Sequence, residues 1–233
     1  MGSHLTRAAL LLLVLQLTPS AAGRQITLQT STGHQIHALM FDASERPAPA
    51  VVLVPMLGGS KDDWRSAGER FAEANITALA IDLPQPSLPD DAAALAGWHV
   101  DVRSAVDYLS SRPDIRPGAI GIAGASLGAN LAVLAAVPDS RVRSLALVSP
   151  SLDYRGVRIE APMRQYGSRP ALLLASLDDP YAARSVRELA KEAPGPRDTR
   201  WAEYPAHGTV LLAREPDLVR ALVEWFQRTL AVN

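Results

Sequence analysis

Short, unbroken apolar runs alternate along this chain with longer stretches of helical period, and that alternation restricts its fold more than any other feature. Ala50–Val54 (AVVLV), Ile76–Ile81 (ITALAI), Ala119–Ala123 (AIGIA), Ser144–Val148 (SLALV) and Ala171–Ala175 (ALLLA) have strand length. Their lack of polar alternation marks strands buried on both faces. Between them, Asp62–Ala74, Ala92–Ser111, Ser126–Val137, Pro180–Ala193 and Ala213–Ala231 read as helices, with a further strand at Thr199–Tyr204. Within Ala92–Ser111 the residues Leu95, Trp98, Val102, Ala105, Val106 and Leu109 recur at helical spacing, which gives one apolar face. Gln25–Thr30 and Gln35–Phe41, split by Ser31-Thr32-Gly33, read as an opening antiparallel hairpin. Strands alternating with helices in this way predict a mostly parallel sheet with helices on both faces, joined by right-handed crossovers. Leu83–Pro89 is a proline-rich loop, and Ser151–Arg169 reads as an irregular loop too short for a lid domain.

The 233 residues fit one domain. Lys plus Arg (23) nearly balances Asp plus Glu (24), so there is no electrostatic footprint for nucleic acid and a small or uncharged partner is expected. Cysteine is absent, which excludes disulfide frameworks, cysteine–zinc sites and thiol catalysis. At the N-terminus, Arg7 precedes the apolar run Ala8–Leu17, and small residues including Ser20 and Ala22 precede Gly23. This is the pattern of a signal peptide over residues 1–22, cut before Gly23 and followed by one domain over 23–233. The alternative is an uncleaved apolar helix. Spanning a bilayer takes roughly 20 apolar residues, so no stable membrane span is expected, and export to the periplasm or medium is.

Gly124-Ala125-Ser126-Leu127-Gly128 lies where a predicted strand turns into a predicted helix. Ser126 is either a helix cap beside a tight turn or a nucleophile displayed at the carboxyl end of a parallel strand. A nucleophilic serine needs a base. His4 precedes the apolar run, His34 and His37 fall in the opening hairpin on opposite faces, and His99 rides a helix. His207 lies in a loop after the last strand, at the same carboxyl rim as Ser126. Asp178 and Asp179 follow the strand Ala171–Ala175 at that rim, either able to orient the histidine, with Pro180 opening the next helix. Backbone N–H donors for an oxyanion are expected at Leu127 and in the turn Pro55-Met56-Leu57-Gly58-Gly59-Ser60, at Leu57 first and Met56 second. Met56, Leu57, Trp64, Met163 and Tyr166 are candidate pocket walls or core residues. Arg155, Arg158, Arg164 and Arg169 form either a solvated basic loop or a greeting surface for an anionic acyl group. Gly121, Gly124 and Gly128 do not match the dinucleotide fingerprint G-x-G-x-x-G.

With GASLG, PMLGGS, DDP and AHG in this order, the chain resembles the α/β-hydrolase superfamily, in particular its compact, lidless dienelactone hydrolase-like and carboxylesterase-like members. The resemblance implies a mostly parallel eight-stranded sheet with minimal or no lid, no cofactor and no metal. It also implies a catalytic set of Ser126, Asp179 and His207, with Asp179 favoured over Asp178, and hydrolysis of a small-molecule ester through an acyl-serine. Thioester or amide cleavage, or a non-catalytic binding module, are the alternatives. Two departures stand out: Pro55-Met56 replaces a frequent His-Gly, and the cysteine nucleophile of dienelactone hydrolases is absent.

Overall fold

The computed structural model describes residues 23–30, 33–84, 89–191 and 194–231; the expected signal peptide lies outside them. Strands β1 (Arg24–Gln29) and β2 (Gln35–Phe41) form the antiparallel hairpin. β3 (Ala48–Val54) leads through a 3-10 turn, Lys61–Trp64, into α1 (Arg65–Glu73) and β4 (Thr77–Ile81). Next come α2 (Ala92–Gly97), α3 (His99–Ser110), β5 (Ile115–Ala125), α4 (Leu127–Ala136) and β6 (Val142–Val148). A small hairpin, β7 (Asp153–Tyr154) and β8 (Val157–Arg158), precedes α5 (Glu160–Tyr166) and β9 (Ala171–Ser176). The chain closes with α6 (Pro180–Lys191), β10 (Arg197–Ala202), α7 (Gly208–Arg214) and α8 (Pro216–Thr229).

The main sheet has eight strands in the order β1-β2-β4-β3-β5-β6-β9-β10. β2 runs antiparallel to both its neighbours, and the pairs from β4 across to β10 are parallel. The expected mostly parallel sheet is the one that forms. Side chains on one strand point alternately to opposite faces, and here both faces are covered. Ala50, Val52 and Val54 of β3 join a core with α3, α4 and α6, whereas Val51 and Leu53 join a second core with α1 and α8. Ala171, Leu173 and Ala175 of β9 divide from Leu172 and Leu174 in the same way. This is why the strands read as continuous apolar runs.

Three segments differ from the sequence expectation. The helix expected over 92–111 breaks at Trp98 into α2 and α3. The last helix begins at Pro216, a residue suited to a first helical turn, and Ala213–Arg214 belong instead to α7. Segment 151–169, expected to be irregular, holds the β7–β8 hairpin and the seven-residue helix α5. Elements that short hold too few residues to display a period. Met163 and Tyr166 of α5 are buried in the first core, so this segment is folded down onto the domain.

The arginines of that segment do not act as one surface. Arg169 donates to the carbonyls of Ala136, Val137, Asp139 and Val142 at 2.8–3.3 Å and stacks 4.1 Å from the Tyr166 ring centroid. It satisfies the exposed carbonyl end of α4. Arg158 pairs with Asp153 at 2.7 Å within the small hairpin, and Arg155 and Arg164 are exposed.

Asp101, in the first turn of α3, is 6% exposed. Its Oδ2 lies 3.4 Å from His34 Nδ1, and the contact lacks hydrogen-bond geometry. Burial pushes this carboxyl above its ordinary value, against the opposing pull of His34. Folding thus favours the protonated form, and the unfolded chain binds fewer protons between the two pKa values, so the ionised group works against the fold at neutral pH. Asp101→Asn is expected to raise the urea unfolding midpoint at neutral pH. The gain should shrink as pH falls through the raised pKa toward about 4, as paired titrations at the two pH values will measure.

Candidate active site

The site is built on the turn between β5 and α4. Ser126 adopts φ +52°, ψ −119°, in backbone space that non-glycine residues rarely occupy. Such a conformation costs roughly 1–3 kcal/mol and persists only where surroundings enforce it. Here the Ser126 N–H donates to the Val148 carbonyl at 2.9 Å, and the Ser126 carbonyl accepts from Ala129 N–H at 2.9 Å. A Cβ on Gly124 would lie 2.3 Å from the Gly128 carbonyl oxygen, and one on Gly128 would lie 2.3 Å from that of Pro55. Backbone packs directly against backbone at both positions, so the two glycines are steric requirements of this turn.

Ser126 Oγ lies 2.8 Å from His207 Nε2, and His207 Nδ1 lies 2.5 Å from Asp179 Oδ2. Three loops at the carboxyl ends of β5, β9 and β10 thus bring these residues into one chain of contacts. A carboxylate can only accept, so Nδ1 carries the proton and Nε2 is left to accept from the serine hydroxyl. Asp179 performs two tasks. Oδ2 meets His207 while Oδ1 accepts the Ala182 N–H at 3.2 Å, closing the first turn of α6. The sequence left either aspartate able to meet His207; in the structure Asp179 makes both the histidine contact and the helix contact, and Asp178 is exposed.

The turn after β3 closes through Gly59 N–H to the Met56 carbonyl at 3.0 Å, with Gly58 at φ +74°. Ser60 and Asp63 then cap the 3-10 turn reciprocally, at 3.2 and 3.0 Å. Lys61 donates to Asp82 at the end of β4 through both its backbone N–H and its Nζ, each at 2.8 Å. The hydrogen bond that the ammonium donates to this carboxylate holds it above its ordinary pKa. The contact of Gly128 with Pro55 brings this turn against the first residues of α4. Leu127 opens that helix, where the N–H has no partner within the helix itself.

Other candidate residues fall elsewhere. Trp64, Met163 and Tyr166 are core residues, whereas Met56 and Leu57 stay partly exposed at the turn. His37 contacts Thr27 Oγ1 at 3.4 Å, and His99 contacts the Ala96 carbonyl at 2.8 Å. Among the described residues, no group of three histidine or acidic side chains is placed to hold a metal.

One supporting residue escaped the sequence reading. Asn130, fully buried on α4, donates to the carbonyls of Ser151 and Val157, both at 2.9 Å, and accepts the Ser151 N–H at 3.2 Å. It ties the segment after β6 to the helix that carries Ser126. The signal was an amide in the otherwise apolar helix LGANLAVLAA, because a buried amide demands partners.

No family model matches the chain. The carboxymethylenebutenolidase of Pseudomonas putida is 23% identical over 205 residues, covering 78% of this chain and 84% of that protein. The solved structure of dienelactone hydrolase from Anabaena variabilis superposes with TM-score 0.72 at 17% identity, over 90% of this chain and 100% of that one. A thermostable carboxylesterase cloned from a metagenomic library superposes with TM-score 0.69 at 18% identity, over 91% and 89%. The chain has the α/β-hydrolase fold. In this chain the serine turn leaves no room for an added atom. Gly128→Ala is expected to lower stability by about 1–3 kcal/mol through overpacking against Val54 and Pro55, read as a fall in the thermal unfolding midpoint.

Proposed function

We propose that the protein is a serine hydrolase that cleaves carboxylic esters of small or accessible acyl groups. The observation that carries this reading is the continuous contact chain Ser126–His207–Asp179, at 2.8 and 2.5 Å, seated on a strained serine turn. His207 takes the Ser126 proton as Oγ attacks the ester carbonyl, and Asp179 stabilises the resulting imidazolium. The tetrahedral oxyanion is held by backbone N–H groups of Leu127 and Leu57. Collapse expels the alcohol, which takes the proton from His207 and leaves an acyl group on Ser126. Water, deprotonated by His207, then releases the acid. The names of the relatives, a carboxylesterase and hydrolases of unsaturated lactones (cyclic esters), support an ester as substrate.

Hydrolysis of p-nitrophenyl acetate tests the assignment. Ser126→Ala should lower kcat by about 10⁴-fold or more, and Asp179→Asn by about 10³–10⁴-fold. Asp178→Asn should stay within about twofold of wild type, as exposed substitutions do. Full activity in Ser126→Ala would refute the reading.

The acyl preference follows from the segment 151–169, which packs onto the domain, and from the His207 side chain, which is 46% exposed. An open site of this kind offers little enclosed apolar wall to a long chain. Turnover of p-nitrophenyl esters is therefore expected to fall from acetate and butyrate to palmitate, measured at fixed concentration below the micellar range.

We also propose export with removal of residues 1–22. The basic start, apolar run and small-residue exit support it. Intact mass of the protein recovered from the exported fraction should correspond to a chain beginning at Gly23.

A further inference from the structure

His207 stands at the N-cap of α7, in extended backbone, and its side chain makes no capping hydrogen bond. Both its ring nitrogens are engaged, with Ser126 and with Asp179. A helix start leaves backbone N–H groups without intrahelical partners, and the N-cap side chain ordinarily supplies an acceptor. His207 cannot supply one. The N–H of Gly208, the first helical residue, donates to Ser149 Oγ at 3.0 Å, across 59 residues of chain.

Ser149 is placed for this task by unusual local structure. It follows directly after β6, is fully buried, and adopts φ +49°, a left-handed conformation disfavoured for any side chain but glycine. Its own N–H donates to the Leu174 carbonyl of β9 at 2.7 Å. The preceding residue, Val148, is the one whose carbonyl accepts the Ser126 N–H. Two consecutive residues at the end of β6 therefore hold the nucleophile turn and the histidine loop. Gly208 is confined on its other side as well: a Cβ there would lie 2.8 Å from Met56 Sδ in the turn after β3.

We infer that Ser149 is a positioning residue for His207, its hydroxyl fixing the Gly208 backbone so that the imidazole spans Ser126 and Asp179. The inference rests on the serine-hydrolase reading above. Left-handed backbone at position 149 is compatible with glycine, so Ser149→Gly deletes the hydroxyl while relieving strain. That variant separates the hydroxyl from the fold. Displacing a reacting group by about 1 Å can cost about 10²-fold in rate, so a partial loss of register is expected to cost about 10- to 100-fold.

The experiment measures the rate and endpoint of Ser126 labelling by a fluorophosphonate probe, together with steady-state hydrolysis of p-nitrophenyl acetate. Wild type should label to one probe per chain. Ser149→Gly should reach the same endpoint about 10- to 100-fold more slowly, with the loss in kcat and KM within about twofold. A full endpoint shows that every molecule is folded and competent, which a merely structural loss would not give. Ser149→Cys, which keeps the shape but offers a weak acceptor, provides the comparison should the glycine variant fail to fold, and should label at a reduced rate. Wild-type labelling rates in the folded variant would overturn the inference and leave the serine-hydrolase reading standing. Absence of labelling in wild type would overturn both.

Discussion

The strained backbone of Ser126 depends on the absence of side chains around it. Gly124 meets the carbonyl of Gly128, and Gly128 meets those of Val54 and Pro55, each closer than any Cβ allows. These approaches let helix α4 pack backbone to backbone against the turn after β5 and the end of β3. The same contact draws the turn after β3 against the start of α4, where proposed oxyanion donors belong. A local steric condition thus settles the relation between the serine and a loop about 70 residues earlier.

The end of β6 performs a similar service on the other side. Val148 holds the serine turn through a carbonyl, and Ser149 holds Gly208 through a hydroxyl. Asp179 likewise makes two contacts at once, closing the first turn of α6 with one oxygen and meeting His207 with the other. Such sharing limits how far the carboxylate can wander, because leaving its orientation would cost the helix start an acceptor. Asn130 adds a third fastening, from α4 to the segment after β6. Under the proposed function, these fastenings would supply the rigidity that positioned catalysis requires.

Much of this was legible in the residues. The continuous apolar character of Ala50–Val54 and Ala171–Ala175 reported strands with two buried faces, because alternate residues feed two cores. The glycines flanking Ser126 and the place of His207 at a strand's end marked the rim where the loops meet. Illegible were short elements such as β7–β8 and α5, whose lengths hold too little periodicity to register. The break at Trp98 was missed because the apolar spacing of Leu95, Trp98 and Val102 continues across it, and α7 because its seven residues are too few to display a period.

The sequence by itself determined the alternating architecture, the serine turn and the roster of residues able to serve it, since each follows from local spacing and side-chain chemistry. Only the tertiary structure shows which of Asp178 and Asp179 meets His207. Neighbouring side chains of the same type differ solely in which one the loop aims at His207, and that depends on where α6 begins. It also decided that Arg169 binds the carbonyl end of α4 and that Trp64 and Tyr166 belong to the cores. The tie from Ser149 to Gly208 was invisible for the same reason. A hydroxyl and an N–H separated by 59 positions carry no mutual signal until the sheet brings their strands' ends together.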